Sequence, residues 1–370
     1  MINTGKFAEF YVDVTKEGTK IPQDQYLEEG KYPVIDQGRQ NIAGRWDNDE
    51  GLFTNVPAII FGDHTRAVKY ITEPFFIGAD GVKILRPAKA EDNPKYLYYA
   101  LQAARIPNLG YSRHFKVVKD LEIRTYSRAV QDKIVVLLEK IDLLIEQYNT
   151  EMSWIDQLVR SRFIEMFGDS VNNPLGLPTV LLSDVSDIVS GITKGRKTNG
   201  AELFEVPYMA VSNVKAGYID WSTVKTIRAT KDEIEQYCLQ PLDVLMTEGG
   251  DPDKLGRGAI ISAPPENCIH QNHIFRVRVN RNRLLPQYLE EYLQHQKAKQ
   301  YFLGCAKQTT GIASINMKQL RVMPVLLPEI KLQNQFAAFV QATDKSKLAI
   351  QKSLNELEIL KKSLMQQYFG

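Results

Sequence analysis

Arginine and lysine carry donor groups that match guanine, asparagine and glutamine match adenine, and serine or threonine serve several bases. This chain gathers those residue types in short loop-like clusters, three in its first half and four in its second. Gln37, Arg39, Gln40 and Asn41 with Arg45, then His64-Thr65-Arg66, then Arg113, His114 and Lys116 form the first set. Thr193, Lys194, Arg196 and Lys197, then Ser212-Asn213, then Lys254 with Arg257, then Lys307-Gln308-Thr309-Thr310 form the second. Such side chains read base edges only when a scaffold presses them into a groove, with phosphate contacts around them. One basic loop alone is ordinarily solvated surface. Its recurrence in both halves points to double-stranded DNA, most strongly for the loops Arg39–Arg45 and Thr193–Thr198.

Other chemistries fail on spacing. Gly191-Ile-Thr-Lys-Gly-Arg-Lys197 has the composition of a phosphate loop without its Gly-x4-Gly-Lys-Ser/Thr spacing. Pro252-Asp253-Lys254 starts like a metal-dependent nuclease motif, but no acidic-x-Lys strand follows it. His270 and His273 near Cys268 are too few for a metal site, and strand alternation sends the two histidines to opposite faces. No Asn/Asp-Pro-Pro-aromatic methyltransferase motif and no glycine-rich cofactor loop occurs. The expectation is a chain with no catalytic residue, no metal and no cofactor.

The elements that must hold these loops come in duplicate. Gln131–Asp142 (QDKIVVLLEKID) is matched 202 residues later by Gln333–Asp344 (QNQFAAFVQATD), and the same offset carries Met166-Phe167-Gly168 onto Tyr368-Phe369-Gly370. Upstream, Pro94–Gln102 matches Pro286–Gln294 at an offset of 192. A segment of fixed length is thus preceded by a block free to vary. Its strand-like runs include 56–61, 67–71 and 81–85 in the first half and 243–246, 259–261 and 274–277 in the second. In each half a Pro-opened helix follows. Ile134, Leu138, Ile141, Ile145, Tyr148, Met152, Ile155 and Val159 alternate spacings of four and three, which predicts a long helix with a coiled-coil seam. About forty helical residues rise roughly 60 Å, so the helix is a spacer. Phe336, Val340, Thr343, Ile350, Leu354, Leu357, Leu364 and Tyr368 repeat the register, interrupted by Lys347 and Lys361, where polar contacts are expected. Antiparallel packing of the two helices and an internal pseudo-twofold follow. Leu137, Leu144 and Leu158, with Phe339 and Leu360, widen the stripe and are the candidate partner-binding positions.

Composition excludes less than it permits. Net charge is +2 with 46 basic and 44 acidic residues, so a basic surface must be local. Three separated cysteines give no disulfide framework, no secretory leader is evident, and no run of 18 apolar residues exists. A soluble cytoplasmic protein is expected.

Several segments resemble one family. Leu158-Val-Arg-Ser-Arg-Phe-Ile-Glu-Met-Phe-Gly-Asp169 followed by Asn172-Asn-Pro-Leu-Gly176 is similar to the central junction of specificity subunits of type I restriction–modification enzymes. Leu327-Pro-Glu-Ile-Lys-Leu-Gln333 resembles that family's helix entrance, and Gln308–Asn316 the segment closing its recognition domains. The first half departs from the pattern, with Tyr126–Gln131 at the helix entrance and Gly110–Lys116 in place of the closing segment. The resemblance implies an α+β protein with two α/β target-recognition domains joined by two long helices in an antiparallel coiled coil. The expected boundaries are domain 1 at 1–125, first helix 126–168, linker and domain 2 at 169–326, and second helix 327–370. It further implies that each domain reads half of an asymmetric bipartite site. Two DNA adenine methyltransferase subunits would be held by the helices, restriction/translocase subunits would join the full complex, and the chain itself would be non-catalytic. Arg196→Ala is then expected to weaken methylation without unfolding the chain. The alternatives are a scaffold binding protein ligands through the same loops and, disfavoured by the missing motifs, a fused restriction enzyme.

Overall fold

The computed structural model describes residues 3–78, 80–110, 112–198, 200–250, 255–309 and 312–370, with 308, 309 and 312 described by their backbone. The chain divides into two compact units, Met1–Thr150 with Ile350–Gly370, and Glu151–Ala349.

The first unit contains a four-stranded antiparallel sheet in the order Tyr11–Asp13, Val82–Pro87, Ala58–Gly62, Val68–Ile71. Its strand Ala58–Gly62 is buried at all five positions, as a continuous apolar run requires. A three-stranded sheet in the order Gly44–Trp46, Tyr32–Ile35, Phe76–Ile77 has one parallel pairing, Tyr32–Ile35 with Phe76–Ile77. Asn3–Lys6 pairs with Glu122–Thr125 to close the domain.

The second unit repeats this order. Ser186–Ser190, Ile274–Val279, Val244–Thr247 and Gly258–Ile260 form the four-stranded sheet, and Lys225–Ala229, Phe204–Met209 and Ile269–His270 the three-stranded one, again with one parallel pairing. Thr179–Leu181 pairs with Pro324–Leu326 as the closing ribbon. Between the Pro-opened helix and that ribbon, the second unit adds a helix, Gln296–Cys305, and a hairpin, Lys307–Thr309 with Ile312–Ser314. Among the described residues, the first unit has there only the short helix Phe115–Val118 and irregular chain. These extra elements account for the change of offset from 192 to 202.

Matching hydrogen bonds fix the equivalence. Asn93 caps the helix Pro94–Ala103, its Oδ1 accepting from the Lys95 and Tyr96 amides. The hydroxyl of Tyr96 donates to Arg124 O at 2.8 Å, and that of Tyr288 to Leu326 O at 2.8 Å. Gln131 Oε1 accepts from the Asn93 amide (2.7 Å) while its Nε2 donates to Tyr126 O (2.9 Å) and Asp92 Oδ1 (2.8 Å). Gln333 Oε1 accepts from the Leu285 amide (2.8 Å) and its Nε2 donates to Pro328 O (2.8 Å) and Arg283 O (2.9 Å). Each glutamine is a buried post tying the start of a long helix to the start of its domain helix. Gln333→Leu should therefore lower stability by at least about 2 kcal/mol, because orphaned buried partners keep their desolvation cost. The exposed Gln335→Leu is the control in the same denaturation series; equal losses would refute the post.

The two long helices are Arg128–Phe167 and Ile330–Phe369, 40 residues each. They pack together with the expected seam residues buried or half-buried. The seam lysines are paired: Lys361 Nζ lies 2.5 Å from Asp142 Oδ1, and Lys347 Nζ 2.5 Å from Asp156 Oδ1, in antiparallel order. The first helix starts in the core of the first unit through Ile134, Val135 and Leu138, and the second helix ends against that core with Leu364, Met365, Tyr368 and Phe369. In the second unit, Val159, Phe163 and Phe167 from the end of the first helix join Phe336 from the start of the second. Leu137, Leu144, Leu158 and Leu360 are exposed, as are Trp154 and Ile359. Phe339 differs from its expected exposure: it is half-buried against the second core, with the Arg162 guanidinium 5.9 Å from its ring. No helix among the described residues is long and apolar enough to cross a membrane.

Candidate nucleic-acid interface

In the first unit, the loops that follow Tyr32–Ile35, Ala58–Gly62, Phe76–Ile77 and the helix Pro94–Ala103 meet at one end of the sheets. Gln37 ties three of them. Its Oε1 accepts from the His64 amide (3.2 Å), its Nε2 donates to Asp80 O (3.3 Å), and its carbonyl accepts from the Thr65 hydroxyl. The approach is so close that a Cβ on Gly62 would sit 2.7 Å from Gln37 O. Beneath the loop, the buried Lys69 donates from Nζ to Asp36 O at 2.8 Å and pairs with Asp36 Oδ1 at 3.3 Å. Arg39, Gln40, Asn41, Thr65, Arg113 and Lys116 are exposed around this post. Arg66 and Arg45 are half-buried, each with one guanidinium nitrogen donating to a backbone carbonyl, Ile106 O at 3.2 Å and Gly30 O at 3.3 Å.

His114 requires a correction. It is fully buried, and both ring nitrogens are used. Nε2 accepts from the Leu109 amide (3.1 Å), so the proton is on Nδ1, which donates to Asp63 O (2.9 Å). The ring ties Leu109 to Asp63 and has no free edge for a base. Sequence reading missed Lys20, whose Nζ lies 2.5 Å from Asp80 Oδ1. That bond, with the Lys20 charge and the more distant Arg113, holds the Asp80 carboxyl below its usual range. A lone lysine in a loop carries no sequence signal that would have singled it out.

In the second unit the segment 190–198 lies along 270–272. The Ile192 amide donates to His270 O (3.0 Å), the Asn272 amide to Ile192 O (3.1 Å), and the Ser190 hydroxyl to Asn272 O (2.5 Å). Glycine is required at 191, where a Cβ would fall 1.9 Å from His270 O. Thr193, Lys194 and Lys197 are exposed; Lys307 is exposed on the hairpin that continues through 308 and 309. That hairpin is extended by Gly249–Gly250. Lys254 lies outside the described residues, as does Thr310. Arg257 is half-buried, makes no ion pair among the described residues, and its Nε is buried without a partner.

Two further expectations are corrected here. The Arg196 guanidinium is engaged by both carboxylate oxygens of Glu233 and donates to Arg228 O at 3.2 Å. Bonding to Arg196 is the main reason the Glu233 carboxyl sits below its usual range, since burial pushes the other way. Arg196 is thus a strut of its loop, with its planar fork already filled. Asn213 is fully buried; its Oδ1 accepts from the Ala210 amide (2.9 Å) and its Nδ2 donates to Asp220 O (2.9 Å) and Thr223 Oγ1 (3.0 Å). It shapes the loop 210–223 from within.

The two neighbouring histidines separate, though not by strand alternation: His270 ends the strand Ile269–His270 and His273 lies in the turn before Ile274–Val279. His270 is buried, while His273 is exposed with Nδ1 2.5 Å from Glu248 Oε2. No group of three or more metal-ligating side chains occurs among the described residues. The arrangement in each unit is therefore a body built on a four-stranded and a three-stranded sheet that raises short loops with exposed basic and amide side chains.

A family profile described as type I restriction modification DNA specificity domain matches residues 176–359. The protein described as the MjaX type I restriction enzyme specificity subunit of Methanocaldococcus jannaschii is 28% identical over 190 residues, covering 51% of this chain and 44% of that one. The EcoKI specificity subunit of Escherichia coli is 23% identical over 238 residues, covering 60% of this chain and 50% of that one. These matches thus span about half the length of either relative. The crystal structure of a type I S subunit from M. genitalium superposes over 100% of this chain and 96% of its own, with a TM-score of 0.60 at 17% identity. With sequence profile and relatives in agreement, the chain carries the DNA specificity domain of type I restriction–modification specificity subunits.

Proposed function

We propose that each domain reads one half of an asymmetric bipartite DNA site, and that the paired helices hold two adenine methyltransferase subunits, with restriction/translocase subunits joining the full complex. The observation that carries this reading is the repeated body with divergent loops. Both domains share strand order and helix anchors, yet the loops leaving equivalent strand ends differ in length and side chains. Two bodies of one design with different readers would specify two different half-sites. In this reading the chain supplies address and geometry, and a partner flips and methylates the adenine. The exposed Leu137, Leu144, Leu158 and Leu360 offer apolar surface on the helices for that partner.

The test is selection from a random duplex pool by the chain co-purified with its methyltransferase. The expected product is two short fixed blocks separated by a constant number of unread pairs. A pool in which no split sequence rises above background would refute the reading. Because the Arg196 guanidinium is bonded to Glu233, Arg196→Ala would weaken methylation through the shape of the loop 190–198.

A further inference from the structure

The loop 210–224 of the second unit displays two aromatic side chains that the reading set does not include, Tyr218 and, less exposed, Trp221. Asn213 builds the loop from inside, and the Asp220 amide donates back to Asn213 O at 2.8 Å. Val214 bridges Ile219, the Lys215 amide donates to Tyr218 O at 3.0 Å, and Gly217 adopts φ +76° to close the turn. Tyr218 stands at its tip with 60% of its surface exposed and no partner for its hydroxyl among the described residues. The turn is fastened to two other candidate loops. The Gly217 amide donates to Gly258 O at 3.0 Å, next to Arg257, and the Val211 amide to Gln271 Oε1 at 3.4 Å.

We propose that Tyr218 is a contact to the backbone of duplex DNA, its hydroxyl donating to a phosphate oxygen and its ring lying against the adjoining sugar. This rests on the DNA-reading function proposed above. A rigid turn presenting an aromatic ring does no work for the core, because the ring touches solvent. Its chemistry, an apolar face with a polar tip, fits a surface that is part sugar and part phosphate. Bases in an intact duplex are stacked and turn only their edges outward, so the ring has no base face to meet. The segment bonded to the same turn carries the half-buried Arg257, a cation beside the proposed contact.

The experiment measures binding of the chain with its methyltransferase partner to the selected duplex, for the parent, Tyr218→Phe and Tyr218→Ala. Both variants should keep the parent's thermal melt, the residue being exposed. Kd should rise by about threefold to tenfold, the range of one hydrogen bond plus its contact, with Ala worse than Phe. The rise should be uniform across single-base changes in the half-site, since backbone contacts position without specifying. The salt slope should stay that of the parent, because a neutral phenol releases no counterion. A change below twofold, or a loss confined to one base pair, overturns the assignment. If the parent itself selects no split sequence, the function fails; if it does and the variants bind like the parent, only Tyr218 fails.

Discussion

Phe167→Ala should destabilise the second domain by about 3–5 kcal/mol, the cost of emptying a fully buried aromatic site. Phe167 is 1% exposed and sits 4.8 Å from the Tyr288 ring and 5.6 Å from Phe336, measured between centroids. The residue belongs to the helix that begins in the first domain, yet it completes the core of the second. Its repeat mate Phe369, half-buried 5.1 Å from Tyr96, completes the first domain from the end of the helix that begins in the second. Phe369→Ala should cost less, about 1–3 kcal/mol, because part of the ring is already in water. Hydrogen exchange resolved by peptide distinguishes the two. Phe167→Ala should loosen Ser186–Ser190 and Ile274–Val279, and Phe369→Ala should loosen Asn3–Lys6 and Pro94–Ala103. Loosening of the first domain by Phe167→Ala would show that the cross-anchoring is wrong.

This anchoring was half legible in the sequence. The 202-residue offset aligned Phe167 with Phe369 because the long helices obey a heptad, and heptads survive as pattern even where identities are few. The paired seam lysines were legible for the same reason: a charge at a core position demands a partner, and Asp142 and Asp156 supply it. What periodicity could not show is which core each helix end enters, since that depends on contacts between residues far apart in the chain.

Loop residues were less legible, for a different physical reason. Arg196, His114 and Asn213 have the side chains that reading DNA requires, and a loop needs those same donors and acceptors to satisfy its own backbone. Composition cannot separate the two uses. Asn213 and His114 were spent on shaping turns, whereas the exposed Tyr218 fitted no donor–acceptor pattern and was passed over. The exposed Arg39, Lys194 and Lys197 make no ion pair among the described residues and so remain available.

Glu290→Gln should expose a pH dependence that the parent hides. Burial pushes the Glu290 carboxyl up to about 7, helped by Asp344 and Glu291 and opposed by its hydrogen bond from the Ile260 amide and by Lys347. Burial likewise pushes His270 down to about 4, against its bond to Ile274 O, with the Arg276 charge adding to the effect. The signs oppose. For His270 the unfolded chain takes a proton near the ordinary value of 6.5, so the stability this group supplies is complete above that and drains away as pH falls toward 4. For Glu290 the folded state keeps its proton up to about 7, so its ionisation penalty is complete above that pH. The penalty is relieved as pH falls toward the ordinary carboxylate value. Each swing is on the order of 3 kcal/mol from the linkage of one pKa unit to roughly 1.4 kcal/mol. The parent's denaturation free energy should therefore vary little between pH 7 and 5. Glutamine keeps an acceptor for the Ile260 amide and removes the charge. The variant should be more stable than the parent at pH 7.5 and lose that advantage as pH falls below about 7, because the parent's Glu290 takes up its proton there. The variant's own stability should fall below pH 6.5 as protonation of His270 in the unfolded chain goes unopposed. Parallel urea-midpoint curves for parent and variant across this range would show that the two groups do not offset one another.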